Sequence, residues 1–349
     1  MRTFDRLMKA FSETPSGRLR SAADHISTES LMYRNIMVPV DGSLFSREAL
    51  LQGVRIAERC GANLRLVRVR TSPALPPSPE RLSSGIAASK TRATELADLY
   101  QLANECRGSS TVSVTVALLD GPVSDALAGY IARHRVDLVV MRSHARQGFA
   151  RVWFGSTADN LIRRTGIPVL NIRPPSISTG LESGFLFKKI LVPLDGSPLA
   201  ETSLRAALAL ARLDGATVTL LRVVPPDQSP DWQLQSPLGP ATNASVIDAQ
   251  NYLSSMVAAL QVPGLSLSSR VVIADDVAEA ILQTAQNHEI DLIAIATHGR
   301  GAIARAAAGS VADRLMRESA ISTMVVHPQS RVADAELVPV WGQDASFAI

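Results

Sequence analysis

The chain has 349 residues, 46% of them hydrophobic and 4% aromatic, so two domains can each bury a core of mainly Ala, Leu, Val and Ile. Its 35 basic residues are scattered among 32 acids, which leaves a formal charge of +3 and no basic run typical of nucleic-acid binding. Cys60 and Cys106 lack zinc or CxxC spacing, no run approaches the length of a membrane span, and the N-terminus lacks a secretory signal. We therefore expect a cytoplasmic protein without a nucleic-acid or membrane partner.

The first predicted domain spans residues 34–173 and follows an N-terminal extension, residues 1–33, that we expect to be mobile. Short apolar runs alternate in this domain with helical spacing, and the prolines between Thr71 and Pro79 exclude regular structure there. The predicted elements are strands at 35–40, 64–69, 111–119, 137–141 and 167–172, and helices at 44–59, 89–105, 123–134 and 155–164. This alternation predicts a parallel sheet with right-handed crossovers and helices on both faces.

The same order of elements then restarts at an offset of 154 residues. Aligned without gaps, residues 35–69 match 189–223 at 13 of 35 positions, and 137–174 match 291–328 at 14 of 38. A period of this length indicates a duplicated domain rather than a solenoid. The remaining predicted divisions are a linker at 174–186, a second α/β domain at 187–328 and a C-terminal tail at 329–349.

An acid-glycine-serine turn follows the first strand of each half, with Asp41 in the sequence Val-Pro-Val-Asp-Gly-Ser and Asp195 in Val-Pro-Leu-Asp-Gly-Ser. Ligands of parallel α/β sheets bind outside the carboxyl ends of the strands. Two interpretations stay open. In the first, Ser197 caps the following helix and Asp195 favours the same helix end electrostatically. In the second, Asp195 and its backbone neighbours bind a ligand.

A turn of small and polar residues, 297–301, follows the fourth strand of the second half, and the pair Gly309-Ser310 begins the next helix. Gly299-Arg-Gly-Ala-Ile-Ala304 imitates the dinucleotide fingerprint, but that fingerprint belongs after a first strand, so a nicotinamide dehydrogenase is disfavoured. The P-loop motif is absent. Backbone amides at glycine turns and helix N-termini favour a phosphate.

The spacing Ala296-x2-Gly299-x9-Gly309-Ser310, with the Val-Pro-x-Asp start, resembles the universal stress protein family, whose ATP-binding members carry G-x2-G-x9-G-[S/T]. The resemblance covers both halves. It implies two tandem Rossmann-like domains of the adenine nucleotide alpha hydrolase-like type, each with a five-stranded parallel sheet. It also implies an internal pseudo-dimer of the two domains through their last strands, with a homodimer of whole chains as an option. The implied function is ATP binding by a stress-response regulator with little or no turnover.

By this resemblance, Asp195 and Val223 contact adenine, and the glycine motif holds the ribose and the phosphates. ATP is therefore the expected ligand, and Mg²⁺ could accompany it. The predicted nucleotide-binding residues of the second half are Leu194, Asp195, Val223, Ala296, His298, Gly299, Arg300, Gly309, Ser310 and Val311.

The first half departs from the motif at two positions, with Arg142 at the first glycine and Ala145 at the second. An arginine there could pair with a phosphate or fill the pocket, and a non-glycine at position 145 would strain any turn with φ > 0. The second half is therefore the expected site. The candidate second site comprises Val40, Asp41, Val69, Arg142, His144, Arg146, Gly155, Ser156 and Thr157.

No catalytic residue or metal ligand is predicted, since neither half shows a paired carboxylate, a nucleophile–base pair or a metal cluster in its sequence. His144 and His298 could orient a phosphate, make a local hydrogen bond or act as general acid–base groups. Arg146 and Arg300 could bind phosphate or lie in solvent. Two alternative functions stay open, an interaction scaffold with empty pockets and a slow ATPase.

Overall fold

The computed structural model describes residues 33–70, 92–142, 156–173, 186–226, 244–260, 264–297 and 311–327. These residues fall into two compact units that divide between Ile172 and Arg173, here called domain 1 and domain 2. Apart from Tyr33 and Leu186, the predicted N-terminal extension, linker and C-terminal tail lie outside the described residues.

Domain 1 is a parallel sheet with helices between successive strands. Its elements are β1 (Asn35–Pro39), α1 (Leu44–Cys60), β2 (Asn63–Arg70), α2 (Arg92–Ser109), β3 (Val114–Asp120), α3 (Val123–His134), β4 (Leu138–Met141), α4 (Ser156–Thr165) and β5 (Val169–Asn171). The strand order is β3-β2-β1-β4-β5, with every described pair parallel. The chain winds outward in one direction from β1 and in the other from β4, so the topological switch point lies between these two strands.

Domain 2 repeats this topology with the order β10-β9-β6-β7-β8, again with parallel described pairs. Its elements are β6 (Lys189–Pro193), α5 (Pro198–Asp214), β7 (Thr217–Val224), α6 (Ala244–Ala259), β8 (Ser266–Ile273), α7 (Val277–Asn287), β9 (Leu292–Ala296), α8 (Val311–Glu318) and β10 (Ser322–Val326). The predicted fold class, two α/β domains with five parallel strands each, is confirmed.

The predicted elements differ from the structure mainly at their ends. Helix α2 runs to Ser109 rather than residue 105, and the Ser110 hydroxyl donates a 2.7 Å hydrogen bond to the carbonyl of Cys106 in its last turn. Strand β3 starts at Val114 rather than residue 111. Helix α1 ends at Gly61 as predicted, because that glycine adopts φ +63°, which a residue with a Cβ rarely adopts.

A half-buried aspartate just before the fourth strand of each domain aligns that strand with the first. In domain 1 the Asp137 carboxylate accepts hydrogen bonds from the backbone N–H groups of Arg34 (2.7 Å) and Asn35 (3.1 Å). Asp291 accepts the equivalent bonds from Lys188 (2.8 Å) and Lys189 (3.0 Å) in domain 2. The two strands at the switch point therefore start level, and their carboxyl ends emerge at the same edge of the sheet.

Candidate functional site

The strands at the switch point of domain 2 separate before their carboxyl ends. The pairing of β6 with β9 covers two residue pairs, Ile190 with Leu292 and Leu191 with Ile293. On its other side β6 pairs with β7 over five residue pairs, and β9 pairs with β10 over five. In domain 1 the β1–β4 pairing likewise covers two residue pairs. A crevice between the strand ends is the usual ligand position in open parallel sheets.

Asp195 follows β6 at this crevice and takes part in the turn that starts α5. Its Oδ1 accepts a 2.8 Å hydrogen bond from the Ser197 N–H, and the Ser197 hydroxyl accepts a 3.2 Å bond from the Ala200 N–H. The capping interpretation of Ser197 is therefore confirmed. The Asp195 carboxylate is nevertheless exposed, and within the described part of the chain that one bond is its only hydrogen bond. The hydrogen bond within the turn uses only Oδ1, so Oδ2 of Asp195 can accept a hydrogen bond from a ligand.

The same turn is kept in domain 1. Asp41 Oδ1 accepts a 2.9 Å hydrogen bond from the Ser43 N–H, and the Ser43 hydroxyl accepts a 3.2 Å bond from the Ser46 N–H. The glycines of the two turns, Gly42 and Gly196, have φ values of +83° and +80°. Glycine is therefore required by backbone conformation at both positions.

An arginine of the second strand lies directly beneath each of these glycines. A Cβ on Gly196 would stand 2.6 Å from a guanidinium nitrogen of Arg222, and a Cβ on Gly42 would stand 3.4 Å from one of Arg68. The Nε of each arginine is buried without a hydrogen bond among the described residues. The sequence contained a signal for this contact, because Arg68 and Arg222 precede the predicted ligand residues Val69 and Val223 at the same offset.

In domain 2 the guanidinium of Arg222 also faces an aromatic ring. Its central carbon lies 5.7 Å from the centroid of the Tyr252 ring, within the range of a cation–π interaction. The Tyr252 hydroxyl donates a 3.0 Å hydrogen bond to Glu201 Oε1 on α5. Helices α5 and α6 and strand β7 are thus joined beneath the Asp195 turn.

The carboxylates of Glu201 and Asp195 place negative charge near the contact of Arg222 with Tyr252. Burial raises the pKa of Glu201; the hydrogen bond from Tyr252 lowers it, and the nearby Asp195 carboxylate raises it. Burial also raises the pKa of Tyr252, and the Glu201 charge and hydrogen bond raise it further. The Arg222 guanidinium lowers the pKa of Tyr252 and is the local counter-charge.

The corresponding contact in domain 1 is an ion pair. Arg68 NH1 lies 3.8 Å from Asp98 Oδ2 on α2, which takes the place of Tyr252 beside the arginine. Arg47, at the position of Glu201, lies 3.8 Å from Glu105 instead. Both domains therefore have an arginine beneath the turn, but its partner is Asp98 in domain 1 and Tyr252 in domain 2.

The fourth strands end differently in the two domains. Arg142 follows β4, and its guanidinium forms an ion pair with the Glu48 carboxylate on α1, leaving the arginine side chain 13% exposed. At the equivalent positions domain 2 has Ala296, the last residue of β9, and Thr202, whose hydroxyl donates a 2.6 Å hydrogen bond to the Leu199 carbonyl. In domain 1 an ion pair therefore joins the end of β4 to α1 across the switch point. In domain 2 the same positions have the small side chain of Ala296 and the locally bonded hydroxyl of Thr202.

The other predicted residues that the structure describes lie at the same edges. Leu194 is buried, and its N–H donates a 2.7 Å hydrogen bond to the Leu221 carbonyl; Val40 is bonded in the same way to Val67 at 2.9 Å. Val223 and Val69 are half-buried near the ends of β7 and β2. Val311 begins α8, is 39% exposed and is described without the preceding turn.

The predicted phosphate-side residues are largely outside the described part of the chain. In domain 1, Ser156 begins α4 and Thr157 is half-buried in it, with the Ser156 side chain not described. The predicted site residues outside the described residues are His144, Arg146, Gly155, His298, Gly299, Arg300, Gly309 and Ser310.

Neither a metal-binding cluster nor a helix suited to crossing a membrane is present among the described residues. Within those residues, no group of three or more His, Cys, Asp or Glu side chains is arranged to hold a metal ion. The described helices include none whose length and apolar character would suit a membrane crossing.

Comparison with known proteins gives consistent matches. The model of the universal stress protein family matches residues 32–173 and 186–327. A universal stress protein of Mycobacterium tuberculosis is 27% identical over 296 residues, covering 83% of this chain and 96% of that protein. The crystal structure of a universal stress protein from Archaeoglobus fulgidus has a TM-score of 0.61 at 15% identity, covering 84% of this chain and 98% of that one. A putative universal stress protein from Pseudomonas aeruginosa has a TM-score of 0.59 at 18% identity, covering 86% and 95%.

Proposed function

The chain belongs to the universal stress protein family, and we propose that its domain 2 binds ATP in the crevice between the carboxyl ends of β6 and β9. The observation that carries the proposal is the exposed Asp195 carboxylate, which stands at this crevice with one oxygen used by its own turn. The small side chain of Ala296 ends the facing strand.

Adenine suits this end of the crevice. A carboxylate oxygen accepts a hydrogen bond from the exocyclic amino group of adenine, whereas guanine presents a carbonyl oxygen at that position, which the carboxylate repels. The half-buried Val223 offers an apolar surface to the base. We place the ribose and phosphates toward the predicted glycine motif, where Gly309 and Ser310 precede the start of α8.

Asp195→Asn tests the role of the carboxylate, because asparagine keeps an oxygen for the Ser197 N–H and loses the charge. We expect ATP to raise the thermal midpoint of the wild type, GTP to raise it less, and the variant to lose most of this preference. Asp41→Asn is the matched control, since it makes the same change in the equivalent turn of domain 1 and leaves the preference intact. An unchanged midpoint of the wild type at saturating ATP would refute nucleotide binding.

We propose that the bound ATP serves as a regulatory ligand of a stress-response protein, with little or no turnover. His298 is the histidine of the predicted motif, and neither half shows a nucleophile–base pair in its sequence. Phosphate release measured with ATP and Mg²⁺ is expected to stay at background. Release above background that disappears in His298→Ala would support the slow ATPase instead.

Pairing of the two domains as an internal pseudo-dimer is part of the same proposal and comes from the family resemblance. The expected species in light scattering is then a monomer of 37.2 kDa. A mass of twice that value would indicate a homodimer of whole chains. The proposed cytoplasmic location is tested by fractionating cells that express the tagged chain.

A further inference from the structure

We propose that domain 1 contains a closed nucleotide-phosphate site in which Glu48 is a built-in competitor: its carboxylate occupies Arg142, the group that would otherwise bind a phosphate. This deepens the proposed function of domain 2 and rests on it, because the ligand class is taken from there. Domain 1 would then be a copy of the site that binds no nucleotide while the Glu48 carboxylate engages Arg142.

The first support is the position of the ion pair. Arg142 comes directly after β4, and Glu48 lies on α1, the helix that begins just after Asp41. The pair therefore joins the two elements that flank the switch point, in the place where an open parallel sheet receives its ligand. The β1 and β4 strands are separated there, as β6 and β9 are in domain 2.

The second support is that domain 1 has the same turn after its first strand as domain 2, with the same glycine conformation and the same arginine beneath it. Asp41 makes the same turn as Asp195, Gly42 has the same left-handed backbone, and Arg68 lies beneath it. Against this shared frame, the pair of Arg142 and Glu48 replaces Ala296 and Thr202. The difference at the strand ends is thus local.

The chemistry of Arg142 defines the ligand. A guanidinium binds phosphate through two parallel hydrogen bonds, and a carboxylate engages it with the same geometry. The Arg142 side chain is 13% exposed, while that of Glu48 is 43% exposed, so the acid lies on the accessible side of the pair. A phosphate approaching Arg142 from solvent must displace Glu48.

Glu48 has the advantage of being part of the same chain. A tethered group competes at an effective concentration on the order of millimolar, so a free nucleotide below that concentration displaces Glu48 only if it binds Arg142 more tightly than the carboxylate does. Removing the Glu48 charge eliminates this competition for the Arg142 guanidinium. We expect the affinity of domain 1 for ATP to rise by about tenfold or more.

Glu48→Gln tests this inference, with ATP stoichiometry measured by isothermal titration calorimetry on the full chain. The wild type is expected to bind one ATP and Glu48→Gln two. Glu58→Gln is the matched control, because Glu58 is an exposed acid on the same helix, outside the ion pair, and should leave one site. The double variant Glu48→Gln with Arg142→Met should return to one site, since the phosphate partner is gone.

Each outcome supports or refutes either the competitor role of Glu48 or the binding of ATP by domain 2. A folded Glu48→Gln variant that gains no site overturns the built-in competitor, and so does a wild type that already binds two ATP molecules. Retention of the second site in the double variant would show that Arg142 is not the phosphate partner. A wild type that binds no ATP refutes the proposed function of domain 2. In that case a gain from no site to one in Glu48→Gln would still support the closed site.

Discussion

The two domains share a backbone frame and differ in the charges placed on it. Both have the same strand order, a capped turn after the first strand and an arginine beneath the glycine of that turn. At the switch point, domain 1 has the ion pair of Arg142 and Glu48, and domain 2 has Ala296 and Thr202. Duplication has thus conserved the features that backbone geometry requires, while the side chains at the strand ends have diverged.

The outer strands show the same divergence. Arg70 at the end of β2 lies 2.9 Å from Glu95 and 3.4 Å from Asp120 in domain 1. In domain 2 the last residue of β7 is the buried Val224, which pairs with Ile273. The ionic contacts at the end of β2 in domain 1 are thus replaced by an apolar pair at the end of β7 in domain 2. The domains therefore serve as internal controls for each other.

The largest expected effect comes from transferring the domain 1 pair into domain 2. Ala296→Arg combined with Thr202→Glu should place an ion pair across the β6–β9 crevice and exclude the nucleotide. We expect ATP affinity to fall at least a hundredfold, roughly 2.7 kcal/mol at 25 °C, in a calorimetric titration. Unchanged affinity in a folded double variant would show that such an ion pair does not exclude ATP from the site.

Gly196→Ala and Gly42→Ala compare the two turns. Both glycines have positive φ, so each substitution should cost on the order of 1 kcal/mol of stability. Gly196→Ala should cost slightly more, because its Cβ would stand 2.6 Å from a guanidinium nitrogen of Arg222 and would displace this side-chain end from Tyr252, whereas the Cβ of Gly42→Ala would stand 3.4 Å from Arg68. Thermal midpoints of the two variants check this order. A larger loss in Gly42→Ala would contradict the closer packing of Arg222.

Tyr252→Phe removes the hydroxyl that bonds Glu201 and keeps the ring beside Arg222. The expected loss is about 1 kcal/mol of unfolding free energy. Because that bond lowers the pKa of Glu201, the variant should also raise this pKa further, which titration by NMR would detect. A downward shift would contradict the assignment of this hydrogen bond as a contact that lowers the pKa of Glu201.

The smallest effect concerns pH. Burial raises the pKa of Asp137 above its usual value, so the folded state binds this proton more tightly than the unfolded state. The stabilising contribution is complete below the unfolded pKa of about 3.9 and is lost as pH rises through the higher folded pKa. The thermal midpoint of the wild type, relative to Asp137→Asn, should therefore decline as pH rises through that window. A relative midpoint that climbs instead would contradict the burial effect.

Much of this fold follows from sequence patterns. Buried runs such as Leu292 to Ala296 lack alternation because helices cover both faces, and Gly61 and Ser197 end and begin helices through local backbone chemistry. The offset of 154 residues does not match equivalent residues in the outer strands. Arg70 and Val224 are equivalent at that offset, but their strand partners, Asp120 and Ile273, are 153 residues apart. A gapless comparison does not show such a shift.

The side-chain partners were not predictable in the same way. The sequence left Arg142 with two roles, phosphate partner or pocket filler, because its partner Glu48 is distant in sequence and carries no motif. Tyr252 and Glu201 were missed for the same reason, since their hydrogen bond joins α5 and α6, which are distant in sequence. Contacts between separate helices depend on tertiary packing, which local periodicity does not encode.

The number of ATP molecules bound to the wild-type chain tests the central claim most directly, because only the strand ends of domain 2 are proposed to be open. Native mass spectrometry of the intact chain at saturating ATP should show one bound nucleotide, and none in the Ala296→Arg, Thr202→Glu variant. Two nucleotides on the wild type, or none, would contradict the account.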